Sequence, residues 1–214
     1  MKLYLVRHGK TEDDANNTRQ SMSSELGELG KKQAQAIAER LSHEKFDVIF
    51  SSNWARAHST AKAISEKINL PITIDKRLRE QGTNPIIDTL SHDHELSKAY
   101  KAEALIEGRK SMHWKFKGEG ESMKEVLDRV NNFKEFLEKN YIGKNVLVVS
   151  HGAFISALIP SIFMEGFATS EIIWRASFSF RRQENTGLTL LVKVPDRDEW
   201  SLRYFNDASH LTTI

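Results

Sequence analysis

Three short runs hold the side chains best suited to chemistry. Arg7-His8-Gly9 follows the apolar stretch Lys2–Val6, Ser51-Ser52 leads on to Arg56 after Phe46–Phe50, and Ser150-His151-Gly152 follows Asn145–Val149. Each stretch is rich in β-formers and stops at a polar cluster, the pattern of a buried strand. In an open parallel sheet the ligand crevice lies beyond the carboxyl ends of the strands, so these three endings can converge on one small volume. Helices that begin just behind them bring backbone N–H donors and positive dipole ends. Two arginines, two histidines and helix N-termini around one crevice suit a compact, multiply charged anion, and phosphate is the natural candidate.

Those surroundings also define a role for His8. Arg7 and Arg56 disfavour a second positive charge on it, so its imidazole stays neutral. A neutral ring nitrogen can attack phosphorus in line while Arg7, Arg56 and His151 hold the equatorial oxygens, and a phosphohistidine results. The leaving alkoxide then needs a proton and a water must later lose one, two tasks that a single carboxylic acid can serve. Glu80, in Arg77-Leu78-Arg79-Glu80 just past the third strand, is the first choice. Glu12, Glu119 and Glu121 are other acids able to approach, and Glu121 is the nearest rival.

The elements that must position these groups alternate between strand and helix. Ala34, Ile37, Ala38 and Leu41 recur at helical spacing over Lys31–Ser42, after Gly30, which makes a βαβ unit with the first two strands. Ala57, Ala61, Ile64 and Ile68 trace a second helix that ends before Pro71, and Pro71–Ile74 reads as a third strand. Residues 81–121 lack clear periodicity and read as an irregular or partly helical insertion, a lid over one end of the sheet and the source of specificity. Ser122 and Glu125 form a capping box ahead of the stripe Met123, Val126, Val130, Phe133 and Leu137. The apolar helix Ala153–Phe163 contains Pro160, which must kink it or end it early. Leu188–Val194 and Trp200–Phe205 then form a hairpin around a Pro195–Glu199 turn. The reading is an α/β fold in one domain over residues 1–214.

Composition narrows the partners. The chain has 214 residues, with 31 Lys+Arg against 29 Asp+Glu, a balance too even for broad binding to nucleic acid or anionic lipid. It lacks cysteine, which removes disulfides, thiolate metal sites and thiol nucleophiles and fits a reducing cytoplasm. No apolar run approaches the roughly 20 residues a membrane helix needs, and the N-terminus enters a strand without a signal-peptide pattern. His92-x-His94 has metal-ligand residue types but reads as solvated surface. Val148 stands where a serine-hydrolase elbow needs glycine. The lysines at 98, 101, 110, 115 and 117, with Tyr100, Trp114 and Phe116 nearby, read as a solvated face, and His43, His58 and His210 as surface or packing residues.

Taken in order, Arg7-His8-Gly9-x-Thr11, Leu26 with Gly30, Ser51 with Arg56-Ala57 and Thr60-Ala61, Leu78-Arg79-Glu80, Gly120-Glu121-Ser122, Ser150-His151-Gly152 and Asn206-Asp207-x-x-His210-Leu211 resemble the histidine phosphatase superfamily in its phosphoglycerate mutase-like branch. The resemblance implies a three-layer α/β/α sandwich on a mostly parallel sheet with an antiparallel edge. It implies nucleophile His8, acid/base Glu80, phosphate ligands Arg7, Arg56 and His151, no metal and no cofactor. Family members often carry Asn where this chain has Asp14, and the Asn16–Leu26 segment is about one residue shorter than the family pattern, so no contacts transfer there. Mutases resemble one another in an Arg-x-Tyr-Gly run past the acid, whereas Gln81-Gly82-Thr83-Asn84 stands here. That favours hydrolysis of a small phosphorylated metabolite. Arg109-Lys110-Ser111 is similar to the basic pair with which mutases grip a carboxylate, which keeps a phosphoglycerate mutase as the alternative. A phosphate-ester binding protein on a silent fold is the third reading.

Overall fold

The computed structural model describes residues 1–82, 84–194 and 199–213. Its six-stranded sheet has β1 (Lys2–Arg7), β2 (Val48–Ser51), β3 (Ile72–Ile74), β4 (Asn145–Ser150), β5 (Leu188–Val194) and β6 (Glu199–Asp207) in the order β3-β2-β4-β1-β5-β6. The first four in that order are parallel, and β5 and β6 add an antiparallel edge. The strands that carry the three polar endings are therefore neighbours, with Arg7 opposite Ser150 and Ser51 opposite Val149. Period-two alternation sends side chains to both faces, and both are covered. Tyr4, Val6, Ile49, Leu147 and Val149 meet α2 (Glu28–Leu41) and α3 (Ala55–Ile68) through Ile37, Leu41, Ala57, Ala61 and Ile64. Leu3, Leu5, Phe50, Val146 and Val148 meet α5 (Met123–Asn140), α6 (Gly152–Phe163) and α7 (Ser170–Ser177). The result is the expected three-layer α/β/α sandwich. No helix among the described residues is long and apolar enough to cross a membrane.

Several boundaries differ from expectation for identifiable reasons. The second strand begins at Val48 and runs to Ser51, because Asp47 already binds Asn145 through both its backbone N–H and its carboxylate, at 2.9 and 2.8 Å. Strand β3 starts one residue after Pro71, which lacks the N–H a ladder position needs. Helix α6 runs through Pro160 to Phe163; every residue from Phe154 to Ile162 is buried, and that burial outweighs the bond Pro160 cannot make. The insertion contains α4 (Glu95–Ile106) and is stitched to the 16–20 loop by the Thr18–Ser91 bridge and the Arg19 N–H to Leu90 carbonyl bond. Of the Pro195–Glu199 turn, residues 195–198 lie outside the described residues, and Glu199 already belongs to β6. Helix α7 had no counterpart in the sequence reading. The capping box is as expected, with Ser122 and Glu125 satisfying each other's backbone N–H.

The helix expected after Gly30 starts at Glu28 and takes Gly30 inside it. This glycine serves a close approach: a Cβ there would lie 1.9 Å from the carbonyl oxygen of Lys10, and one on Gly9 would lie 2.6 Å from the Gly30 carbonyl. Lys10 closes the contact by donating its N–H to Gln33 Oε1 at 2.9 Å and accepting from Gly27 N–H at 3.0 Å. The loop after His8 is thus seated on the first turns of α2. Ala normally stabilises a helix over Gly by about 1 kcal/mol. We expect the opposite for Gly30→Ala, a loss of roughly 1–3 kcal/mol from the forced backbone shift, read from urea unfolding. A gain would show that the two backbones do not need this contact.

Candidate active site

His8 stands one residue beyond β1, with its N–H bonded to the Ser150 carbonyl at 3.0 Å. Its ring is buried, and Nδ1 lies 2.8 Å from the Gly9 carbonyl, an oxygen that can only accept. Nδ1 therefore carries the hydrogen and Nε2 is left with a lone pair, which accepts from Arg56 Nε at 3.2 Å. Arg56, on the first turn of α3, also donates Nη1 to the Ser21 carbonyl at 2.7 Å and lies 4.8 Å from the Trp54 ring centre. Arg7 donates Nη1 to the Gln183 carbonyl. His151 precedes the first turn of α6 at 5.0 Å ring-to-ring from His8, with its Nε2 3.0 Å from Ser52 Oγ. All four side chains that the strand endings were expected to gather are brought together.

The electrostatics follow from this packing. Burial first, then Arg56 and Arg7, hold the His8 pKa well below its ordinary 6.5. Burial, then Arg56 and His8, do the same for His151. Burial pulls Arg56 itself down to about 10, against the opposing pull of Glu80 and Asp14. Arg7 Nε, His151 Nδ1 and Trp54 Nε1 are buried with no hydrogen-bond partner among the described residues. Ser97 Oγ and Trp174 Nε1 share that state away from the cavity, but three such atoms gathered at the strand ends fit a site that takes a polar ligand. Trp54 was absent from the sequence reading, where an aromatic at a helix start carries no signal of its own.

The candidate acids separate clearly. Glu80 accepts through Oε1 from the N–H groups of Gln81 and Ala153, each at 2.9 Å. Its Oε2 borders Gly152 together with Arg7 Nε, at 3.7 and 3.8 Å from where a Cβ would stand. Glu121 and Glu119 border the same cavity, but Glu121 is already engaged: Arg129 holds both its oxygens at 2.8 and 3.0 Å, and Gly82 N–H donates to it at 2.6 Å. Arg129 also donates to the carbonyls of Arg77, Arg79 and Glu80 at 2.7, 2.6 and 2.9 Å, which fixes the segment bearing Glu80. Sequence reasoning missed Arg129; its one hint is a place between buried Leu127 and Val130 rather than on the outer face of α5. Asp14 closes a capping box with Thr11 at the start of α1 (Glu12–Ala15) and accepts from Gln20 at 2.8 Å.

Arg7, Arg56, Trp54 and Glu80 line a cavity of about 420 Å³. Tyr100, Trp114, Lys115 and Phe116 of the insertion form part of its wall, which corrects their reading as a solvated face; the three rings lie 5.5–6.5 Å apart, an apolar cluster that shields itself from water. Arg109 instead lies against Phe178, and Lys110 pairs with Glu107 on the surface. His94 caps α4 through Nδ1, and among the described residues no three His, Asp or Glu side chains cluster as metal ligands.

Two histidines that stay neutral in the fold, while the unfolded chain takes up protons near 6.5, destabilise the fold as pH drops below that value. Each contributes up to about 1.4 kcal/mol per pH unit. Urea unfolding should therefore show stability falling from pH 6.5 toward about pH 5, with a shallower slope in His151→Asn. An unchanged slope in that variant would show that His151 is protonated in the folded state.

Comparison with known proteins places the chain in a family. The family model of the histidine phosphatase superfamily, branch 1, matches residues 3–208. Phosphoglycerate mutase-like protein 4 of Arabidopsis thaliana is 29% identical over 98% of this chain and 86% of its own. The Escherichia coli protein named "Probable phosphoglycerate mutase GpmB" is 33% identical over 76% of this chain and 74% of its own. The structure of mycobacterial glucosyl-3-phosphoglycerate phosphatase complexed with VO3 superposes with a TM-score of 0.80 at 27% identity, covering 97% of this chain and 99% of that one. The chain belongs to the histidine phosphatase superfamily, branch 1.

Proposed function

We propose that this chain is a metal-independent phosphomonoesterase of the cytoplasm that hydrolyses a small phosphorylated metabolite through a phosphohistidine on His8. The observation that carries the reading is the His8 ring itself: Nδ1–H tied to the Gly9 carbonyl, Nε2 bearing its lone pair beside Arg56, and burial together with two guanidiniums holding the ring neutral. A phosphoryl group that draws Arg56 onto its own oxygens uncovers Nε2. The Nε2–P bond then forms as the ester P–O bond breaks, with Arg7, Arg56 and His151 on the equatorial oxygens. The Glu80 carboxylic acid gives its proton to the leaving oxygen. The resulting carboxylate takes a proton from water, whose oxygen attacks phosphorus, and the Nε2–P bond breaks to release phosphate. Two arginines supply the charge neutralisation that a cation would otherwise provide. The insertion wall contacts the rest of the substrate.

The mutase reading draws support from the names of the relatives. It predicts isomerised phosphoglycerate without net phosphate release. Against it, Arg109 and Lys110 make their contacts outside the cavity. The silent-binder reading predicts binding of phosphate without turnover.

The test is phosphate release from a metabolite panel, with and without chelator. We expect release that EDTA leaves unchanged and that His8→Ala reduces by more than ~10³-fold. Predominant isomerisation, loss of activity with chelator or full activity in His8→Ala would overturn the proposal. Glu80→Gln should slow alkyl esters by about 10²–10⁴-fold and activated aryl esters far less, because only the former need a strong proton donor. Equal losses would move the acid role elsewhere.

A further inference from the structure

The ladder between β1 and β5 ends at the pair Val6–Leu188, so Arg7 and His8 lie beyond it. Their carbonyls are held instead by the loop that precedes β5. Thr186 N–H donates to the Arg7 carbonyl at 3.0 Å, and Asn185 Nδ2 to the His8 carbonyl at 3.0 Å. The same loop supplies the Gln183 carbonyl that receives Arg7 Nη1. Thr186 is fully buried with φ at +58°, a left-handed conformation that a β-branched side chain disfavours. Such a backbone persists only where its surroundings over-determine it.

Those surroundings come from the C-terminal segment. Thr186 Oγ1 donates to the Asn185 carbonyl at 2.7 Å, so toward His210 Nε2, 3.0 Å away, it can only accept. Nε2 therefore carries the hydrogen of a neutral ring, and Nδ1 accepts from Arg40 Nη1 at 3.4 Å. Arg40, on α2, is fixed by its ion pair with Asp207 and by Ser209 Oγ at 3.2 Å. Asn206 Oδ1 adds a bond from Glu184 N–H at 2.8 Å. The sequence reading of His210 as a surface or packing residue thus omits its place in a continuous chain of bonds from α2 to the main chain of His8.

We propose that His210 is a positioning residue: through Thr186 and Asn185 it holds the Arg7–His8 backbone where Nε2 can attack in line. The proposal rests on His8 being the nucleophile. A ring that donates at one nitrogen and accepts at the other is what the place between Thr186 and Arg40 demands; glutamine can reproduce both bonds, alanine neither. His210 does not line the cavity, so its loss acts only through the placement of the Arg7–His8 backbone, and in-line attack by Nε2 is more sensitive to a small displacement there than is charge attraction by the long Arg7 side chain.

The test uses the full chain and an alkyl phosphate substrate, with kcat and KM measured for His210→Ala, His210→Gln and Thr186→Val and urea midpoints measured in parallel. We expect His210→Ala to lower kcat by about 10- to 100-fold with KM nearly unchanged, and His210→Gln to restore most of it. Thr186→Val, which removes the accepting hydroxyl at constant shape, should show the same split and keeps the test decisive should His210→Ala fail to fold. Wild-type kcat in a folded His210→Ala or Thr186→Val, a loss in KM alone, or no recovery in His210→Gln overturns the positioning role. Turnover surviving in His8→Ala would instead sink the nucleophile reading beneath it.

Discussion

Positive charge buried at the end of a sheet, without a carboxylate to neutralise it, is costly unless something else compensates. Arg56 is only 1% exposed, and among the described residues neither it nor Arg7 has an acidic partner within ion-pair distance. Carbonyls of Ser21 and Gln183 and the lone pair of His8 stand in for one. Together with burial, this arrangement suppresses protonation of both histidines, leaves His8 Nε2 unprotonated and leaves Arg7 and Arg56 facing the cavity without a carboxylate bound to them. On the function proposed above, a phosphoryl dianion completes what the fold leaves open.

Holding four such groups in register requires rigid elements on every side. The sheet order places β2, β4 and β1 side by side, so their ends deliver Arg56, His151 and His8 within one small volume. Paired glycines let the loop after His8 sit directly on α2. Arg129 does for the exit of β3 what backbone pairing does for the central strands, tying three carbonyls within residues 77–80 to α5. The carboxylate that could compete with Glu80 is spent in that tie.

Much of this was legible in the sequence, and the reasons differ by element. Strands β1 and β4 are buried on both faces and read as continuous apolar runs, and the Ser122–Glu125 capping box declares the start of α5 chemically. His8, Arg7, Arg56 and His151 were visible because each stands at or shortly after the end of an apolar strand. What stayed hidden depends on contacts between distant segments. Arg129, Trp54 and the Thr186–His210 bond have no periodicity of their own, since their meaning arises only when the loop before β5, the C-terminus and α5 meet the strand ends. Helix α4 and the aromatic wall failed to register because the insertion packs on itself and on the 16–20 loop rather than presenting a stripe to the main core. Pro160 does not end its helix early, because burial on all sides holds the helix through to Phe163.

The central claim is covalent, and the most direct measurement looks for the bond. Rapid quench into base during turnover of an alkyl phosphate, followed by peptide mapping by mass spectrometry, preserves an acid-labile phosphohistidine. We expect a phosphoryl group on the peptide containing Leu5-Val6-Arg7-His8-Gly9, accumulating further in Glu80→Gln when an activated ester is used, because the hydrolytic half-reaction has lost its base. Steady turnover with no label on His8, or a label on any other residue, contradicts it.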